Sequence, residues 1–493
     1  MRVTGCWSRS AGSLAAGHWT RVAGHWLALR PAERSLEMDF KIQKLVYGPD
    51  ALAHHEGKPV FIPFVLPGEL VTAQLVEDKK KFIRARPVEI LERSPERVDP
   101  PCQYFTRCGG CHYQQMSYER QLAAKQEILR ETLRRLGKID WQEEIRAHPS
   151  PPLGPEASGS GLGYRNRAQF KIKQTFATFI QVGYYAPGTT ALCPVHHCPI
   201  ASPALNRALE ALAQLAAEDK LPPELREAEV FADDRDETLL LTLSHVGIGQ
   251  PGKNLAELLT SQIPGTVSVQ FCDLRDNRKQ LFGAGHLDYR VAGRSYRVSH
   301  GSFFQVNRAL LPEMVDLVAS ESGGLLLDLY AGVGLFSAAL AQKFTEVVAV
   351  ESGEEAARDL AVNLSAAGEE ACAASPESAP SSSLRAGATD QRERGRKTTA
   401  IKAAAEEWLP SCGLKPDLVI VDPPRAGLDP RVTEALSHIR PPRMIYVSCD
   451  PSTLARDLGL LSSAGYRLQE LHLFDLFPQT YHIETVAKLA LPI

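Results

Sequence analysis

The stretch Leu325-Leu326-Leu327-Asp328-Leu329-Tyr330-Ala331-Gly332-Val333-Gly334-Leu335-Phe336 decides the fold. An apolar run of strand length passes into a turn with two glycines and then into a helix start. Small residues at such a turn let a nucleotide-like ligand approach the backbone at the carboxyl end of the strand. The next strand, Val347-Val348-Ala349-Val350, ends in Glu351, an acid placed to accept hydrogen bonds from both hydroxyls of a ribose. With two glycines the run lacks a dinucleotide fingerprint, and the spacing suits an adenosine-containing cofactor. Strands and helices alternate from Leu325 onward, which predicts an α/β domain with a doubly wound, Rossmann-like sheet over 301–493. A segment rich in Ala, Ser, Glu and Arg, 366–399, interrupts it and reads as a disordered insertion.

Two later strands carry chemistry to the same edge. Leu418-Val419-Ile420-Val421 ends in Asp422-Pro423-Pro424-Arg425-Ala426-Gly427, and Met444-Ile445-Tyr446-Val447-Ser448 delivers Cys449 before Asp450-Pro451. A thiol at a strand mouth, ahead of a helix, is expected to have a lowered pKa and to act as a nucleophile. The plain alternative is a buried structural thiol. Near the end, Phe477-Pro478-Gln479-Thr480-Tyr481-His482-Ile483-Glu484 offers one acid or base of each common type.

At about 150 residues per domain, 493 residues suggest two to four domains. With 44% hydrophobic and 23% charged residues the chain is no global disordered protein. No apolar stretch is long enough to span a membrane. The 55 basic and 58 acidic residues leave a net charge of -3, so a nucleic-acid partner must be held by local basic surface. The first 37 residues, Arg-rich and acid-poor, read as a disordered leader or an over-long start before Met38, with a transit peptide as the alternative.

Short strands and turns over 38–98 predict a small β-barrel. It carries Lys79-Lys80-Lys81-Phe82-Ile83-Arg84-Ala85-Arg86, a basic run suited to phosphates with a ring to stack on a base, or simply a solvated hairpin. Tyr118–Gly137 predicts a helix with glycine at its stop. The Pro/Gly/Ser-rich residues 149–163 form a linker, and 99–300 reads as an α+β middle region. Among ten cysteines, Cys102, Cys108 and Cys111 form Cys-x5-Cys-Gly-Gly-Cys, with Cys198 or Cys193 as a distant fourth. Four thiolates suit an iron–sulfur cluster or a zinc site.

These strings resemble the RNA uridine-C5 methyltransferases that use S-adenosylmethionine, from about Asp39 to Ile493 apart from the insertion. The resemblance is most specific in Asp422-Pro-Pro-Arg-Ala-Gly, Ser448-Cys449-Asp450-Pro451 and Asp475–Glu484. It implies a class I methyltransferase fold, a TRAM-like RNA-binding barrel, and a [4Fe-4S] cluster on Cys102, Cys108, Cys111 and Cys198. It further implies that Cys449 adds to uracil C6, that Glu484 removes the C5 proton, and that Gln305, Tyr330, Glu351 and Asp422 bind the cofactor. Phe303 and Arg425 are implied to handle the flipped uracil, and Arg165 and Arg167 to touch RNA. The chain departs from the resemblance at Leu335, where many relatives carry Asn. It also departs at a third strand, Ala400–Ala404, without an acid before Ala405-Glu406-Glu407.

The barrel and cysteine cluster favour large-subunit (23S) ribosomal RNA over transfer RNA, in a cytoplasmic monomer. Two competing readings are a methyltransferase acting on an exocyclic amine, which needs no nucleophilic cysteine, and a non-catalytic RNA-binding protein that keeps the fold as a scaffold.

Overall fold

A computed structural model describes residues 19–22, 25–28, 37–153, 161–175, 179–247, 249, 251–373 and 396–492. They belong to two compact units, Met1–Lys44 with Ala51–Ser94, and Leu45–Asp50 with Pro95–Ile493. Within the expected leader, Trp19–Val22 and His25–Ala28 pair as an antiparallel ribbon; the rest of 1–36 lies outside the described residues, as does most of the expected insertion.

The first unit carries a six-stranded sheet in the order Glu37–Lys41, Leu70–Asp78, Ile83–Glu92, Lys58–Pro63, Asp50–His55, Lys44–Leu45. Alternation sets its inner face: Val71 and Ala73 of one strand, and Val60 and Ile62 of another, are buried. Three register shifts between Leu70–Asp78 and Ile83–Glu92 curl the sheet, as expected for a small barrel. The basic run spans the turn 79–82 and the start of the strand Ile83–Glu92; Lys79 pairs with Glu77 at 2.8 Å, and Arg84 lies over the Phe82 ring at 5.7 Å.

In the second unit the middle region folds as a seven-stranded sheet. Its order is Leu192–Pro194, Phe179–Tyr185, Arg167–Thr175, Leu225–Ala232, Leu239–His245, Thr266–Asp273, Lys279–Gly283. Only Leu239–His245 and Thr266–Asp273 run parallel, joined by the helix Gly252–Gln262. The amphipathic helix Pro203–Ala217 covers one face with Leu205, Leu209 and Leu212, which share a core with Phe170, Val230 and Leu241.

A second sheet of this unit has eight strands in the order Lys397–Lys402, Phe344–Glu351, Gly323–Leu329, Leu418–Val421, Arg443–Ser448, Glu484–Ala490, Arg467–Phe474, Arg146–His148. The first five are parallel, and Glu484–Ala490 runs antiparallel to both of its neighbours. Chain order reverses between Gly323–Leu329 and Leu418–Val421, the crevice where open α/β sheets bind ligands. The buried runs explain the parallel strands: Leu418–Val421 is buried throughout. The third strand starts at Lys397 rather than Ala400 and ends at Lys402.

The helix predicted over Tyr118–Gly137 is α-helical from Tyr118 to Thr132, capped by Ser117, and finishes as a π-turn from Leu133 to Gly137. Gly137 does not supply the left-handed stop; Lys138 does, at φ 56°. A Cβ at Gly137 would lie 2.6 Å from the Ala455 carbonyl oxygen. The glycine is therefore required by the close approach of the helix Pro451–Ser463, a packing reason that turn chemistry does not anticipate.

Candidate active site

The glycine turn and the second strand meet as the sequence predicts. Tyr330 takes a left-handed φ of 62°, Gly332 56° and Gly334 89°. Glu351 accepts the Gly332 N–H on Oε2 at 2.9 Å and the Gly353 N–H on Oε1 at 2.6 Å. This fixes the carboxylate at the end of its strand against the turn. A Cβ at Gly332 would meet nothing within 4 Å, so the turn is open on that side. Gln305 is buried and its Oε1 has no hydrogen-bond partner. Asp328, at the strand end, accepts the Ser337 hydroxyl at 2.6 Å. Leu335 packs in the core. Glu406, which follows the third strand, bears on the turn: burial, and then the Glu406 charge, raise the Tyr330 hydroxyl to about 12.

Cys449 and Glu484 come together through strand register. Ser448 is paired with Thr485 across the antiparallel ladder, and the Thr485 hydroxyl donates to the Ser448 carbonyl at 3.3 Å. Each strand's next residue outward is Cys449 on one side and Glu484 on the other, so both stand at the carboxyl edge where Asp422 also ends its strand. Cys449 is half-buried, and Glu484 is 3% exposed.

The electrostatics correct one expectation. The Cys449 thiol is pushed up to about 12, chiefly by burial and then by the charges of Glu484 and Asp422, with Arg425 opposing. The helix start does not rescue it. Asp450 already caps that helix, accepting the Ser452 and Thr453 N–H groups at 2.8 and 3.2 Å, and its own charge raises the thiol further. Burial, followed by the Asp422 charge, lifts Glu484 well above the ordinary carboxylate range. Asp422 rises to about 7 through desolvation, then Asp328 and Glu351. Desolvation takes Asp328 to about 7 as well. The buried carboxyls of Asp328 and Asp422, a partnerless Gln305 Oε1 and an open turn are the surroundings that a cationic adenosine-bearing sulfonium fits.

His482 Nδ1 accepts from Arg425 Nη2 at 3.2 Å. Burial and Arg425 push His482 down to about 3, which makes its imidazole a weak base and favours Glu484 over His482 as the base in that string. Phe303 is 63% exposed, free to meet a base.

Cys102, Cys108, Cys111 and Cys198 line one small cavity, together with Tyr184 and Arg165. Cys193, on the strand Leu192–Pro194, does not line it. Burial raises the Cys102, Cys108 and Cys111 thiols, Cys108 to about 12, and Cys198 adds to each. Among the described residues no group of three or more His, Cys, Asp or Glu is placed to hold a single metal ion. Arg165, read from the sequence as an RNA contact, faces this cavity instead, and its Nε is buried without a partner. Arg167 donates to the Ser302 carbonyl and to Glu229, both at 2.6 Å.

Sequence reasoning missed the residues that hold the Phe477–Glu484 segment. Lys125, fully buried, pairs with Asp475 at 2.6 Å and donates to the Phe477 carbonyl at 3.1 Å. Gln121 lies one helical turn earlier on the same face and bonds Gln479. A lysine and a glutamine spaced four apart on an apolar helix face was the available signal.

The chain can be compared with known proteins at this point. It superimposes on the crystal structure of the Pyrococcus abyssi tRNA (uracil-54, C5)-methyltransferase in complex with S-adenosyl-L-homocysteine, with a TM-score of 0.68 and 25% identity. That alignment covers 92% of this chain and all of the other. It is 32% identical to an uncharacterized RNA methyltransferase of Aquifex aeolicus, over 91% of this chain and 97% of the relative. It is 29% identical to the 23S rRNA (uracil(1939)-C(5))-methyltransferase RlmD of Shewanella baltica, over 93% and 96%.

The fold and its carboxyl-edge site are thus those of an enzyme that transfers a methyl group from S-adenosylmethionine to RNA. The tRNA (uracil-5-)-methyltransferase family model matches residues 117–490, and the TRAM domain model matches 37–88. The chain belongs to that family and is an RNA (uracil-5-)methyltransferase. Among the described residues no helix is long and apolar enough to cross a membrane.

Proposed function

We propose that this enzyme forms 5-methyluridine in 23S ribosomal RNA through a covalent adduct on Cys449, with Glu484 as the base. The observation that carries the reading is the register pairing of Ser448 with Thr485, which sets the thiol and the carboxyl side by side at the ligand edge.

Uracil C5 is a weak nucleophile. S-adenosylmethionine supplies the methyl group on a positively charged sulfur, and Gln305, Tyr330, Glu351 and Asp422 are the residues that would hold it. Cys449 loses its proton to a neighbouring carboxyl and on to solvent. That loss is favoured once a cation offsets the charges of Glu484 and Asp422, which hold the thiol up. Its sulfur then bonds C6, and the C5–C6 electron pair moves onto C5 and O4. C5 takes the methyl carbon, and the carbon–sulfur pair stays on the departing sulfur. Glu484 removes the C5 proton; those electrons restore the C5–C6 double bond, and the Cys449–C6 bond breaks to return the thiolate. A carboxyl raised by burial is a stronger base at the moment it is needed. Phe303 and Arg425 are the candidates for receiving the flipped uracil.

We further propose that Cys102, Cys108, Cys111 and Cys198 hold a [4Fe-4S] cluster. Four thiols lining one cavity, with Cys102, Cys108 and Cys111 raised by burial, match a set that ionises on binding cationic iron. Thiols spread around a cavity suit a multi-iron cluster better than a single zinc ion, and Cys198 is preferred to Cys193 because it lines that cavity. An RNA target supports action in the cytoplasm.

Ribosomal RNA is favoured by the 23S-acting relative that matches nearly the whole chain. The P. abyssi structure, whose substrate is tRNA, keeps transfer RNA as the second reading. Nucleoside mass spectrometry on unmodified 23S rRNA and tRNA, each incubated with protein and S-adenosylmethionine, decides between them. 5-Methyluridine in 23S rRNA alone is expected; its appearance in tRNA alone reverses the substrate assignment.

A further inference from the structure

The cavity of cysteines and the segment that delivers Glu484 are not separate features. The loop that follows Cys111 donates two backbone N–H groups to a single carbonyl: His112 N and Tyr113 N lie 2.9 and 3.1 Å from the Gln479 oxygen. Gln479 is buried, and it holds a left-handed φ of 67°, a conformation that costs a non-glycine residue about 1–2 kcal/mol. Its strained backbone is over-determined by Gln121. The Gln479 N–H donates to Gln121 Oε1 at 2.9 Å, and Gln121 Nε2 donates back to Gln479 Oε1 at 3.0 Å. Strain of this kind persists only where surrounding contacts impose it, and it collects at functional sites.

Four residues separate Gln479 from Glu484, and that path is itself bonded. The Thr480 hydroxyl donates to the Phe477 carbonyl at 2.8 Å, and His482 N donates to the Thr480 hydroxyl at 3.3 Å. The turn that begins at Phe477 thus sets the direction in which the chain enters the strand Glu484–Ala490.

We propose that Gln479 is the positioning residue of the base. Clamped between Gln121 and the cysteine loop, it fixes where the Glu484 carboxyl stands relative to C5. The inference rests on the proposed role of Glu484. It also gives the cysteine loop a mechanical task in the last chemical step, whatever the oxidation state of what it binds.

The base acts only after the methyl group has moved, so a misplaced base leaves a distinctive mark. Methyl transfer proceeds, but Cys449 remains bonded to the methylated base. The test compares wild type, Gln121→Leu, Gln479→Gly and Glu484→Gln as full-length purified proteins. Each is incubated with RNA substrate and S-adenosylmethionine, and the covalent protein–RNA fraction is read on a denaturing gel. Turnover, thermal melting, cofactor affinity and iron content are measured on the same samples. Gln121→Leu is expected to lower kcat by about tenfold to a hundredfold, the scale of a displacement of about 1 Å. Its KM for RNA, cofactor affinity and iron content should hold, while adduct accumulates toward the Glu484→Gln level. Gln479→Gly relieves the strained φ and loses the Gln121 side-chain pair; it serves if Gln121→Leu fails to fold, with the same adduct increase expected.

A folded Gln121→Leu or Gln479→Gly protein with wild-type turnover and wild-type adduct overturns the inference. Lost turnover without adduct also overturns it, because a merely loosened fold would do that. If Glu484→Gln itself builds up no adduct, the assignment of the base has failed rather than that of Gln479.

Discussion

Cys449 and Glu484 occupy facing positions one step beyond the Ser448–Thr485 pair, so a two-strand ladder fixes their separation. Because a sheet slips only in whole residues, and a one-residue slip turns each side chain to the other face, this placement is all-or-none. Glu484 begins its strand, and Cys449 follows directly on the last paired residue of the neighbouring strand, Ser448.

The thiol can be tested alone. Cys449→Ala removes the nucleophile and is expected to lower methylation at least about a thousandfold. S-adenosylmethionine binding, followed by calorimetry, should stay within a few-fold of wild type, since the cofactor residues sit on other strands. Full activity in Cys449→Ala would favour a reaction that needs no thiol.

The cofactor end has its own test. Glu351 carries two backbone N–H groups and is placed for a ribose. Glu351→Gln keeps the size and weakens charge-assisted bonds worth about 1.5–3 kcal/mol. Calorimetry should show the cofactor dissociation constant rising by about 10- to 100-fold, with the melting temperature nearly unchanged. An unaltered constant would remove Glu351 from the cofactor site.

A pH dependence follows from Asp422. Its carboxyl, ordinarily near 3.8, is raised to about 7, so the folded protein binds more protons than the unfolded chain between those values. Stability from this group is present at low pH and is lost as pH rises through about 7. Asp422→Asn cannot ionise; it should melt most like wild type below about 3.8, where the carboxyl is protonated in both states, and higher than wild type at pH 8. Affinity should move oppositely, since an ionised Asp422 favours a cationic cofactor. Wild type should bind S-adenosylmethionine more tightly at pH 8 than at pH 6, and Asp422→Asn should show no such change.

Much of the site was legible because it lies at strand ends. A short apolar run ending in Asp422, Cys449 or Glu351 announces both the strand and the edge to which the residue is delivered. The thiol's electrostatics were not legible. A helix start after Cys449 suggested an acidic thiol, but the capping is done by Asp450, and the raising charges come from Glu484 and Asp422 on other strands. Long-range pairs were equally hidden: nothing local to Gln121 or Lys125 indicates Gln479 or Asp475, about 350 residues away. The strands Lys279–Gly283 and Asp50–His55 were missed, the first being a mostly exposed edge and the second starting directly out of a turn. The place of Arg165 was not legible either: the resemblance implied an RNA contact, and the side chain lines the cysteine cavity.

The cysteine assignment divides four thiols from a fifth. Protein purified without oxygen should carry iron and sulfide, with absorption in the visible. Cys198→Ser should lose most of the iron, and Cys193→Ser should keep it, as metal analysis will read directly. Iron lost from Cys193→Ser and retained in Cys198→Ser would exchange their roles.

A packing prediction concerns Gly137, whose missing side chain lets the π-turn rest on Ala455. Gly137→Ala places a methyl 2.6 Å from a backbone carbonyl and should cost about 1–3 kcal/mol. Denaturant unfolding should show this as a lower midpoint at an unchanged slope; a wild-type midpoint would mean that the two helices part at no cost.

The most direct test of the account is the covalent bond itself. Glu484→Gln protein is incubated with RNA and methyl-labelled S-adenosylmethionine, digested, and the peptide containing Cys449 is sequenced by mass spectrometry. The account predicts a methylated uridine nucleotide attached to Cys449. Methylated RNA released freely, with Cys449 unmodified throughout, would contradict it.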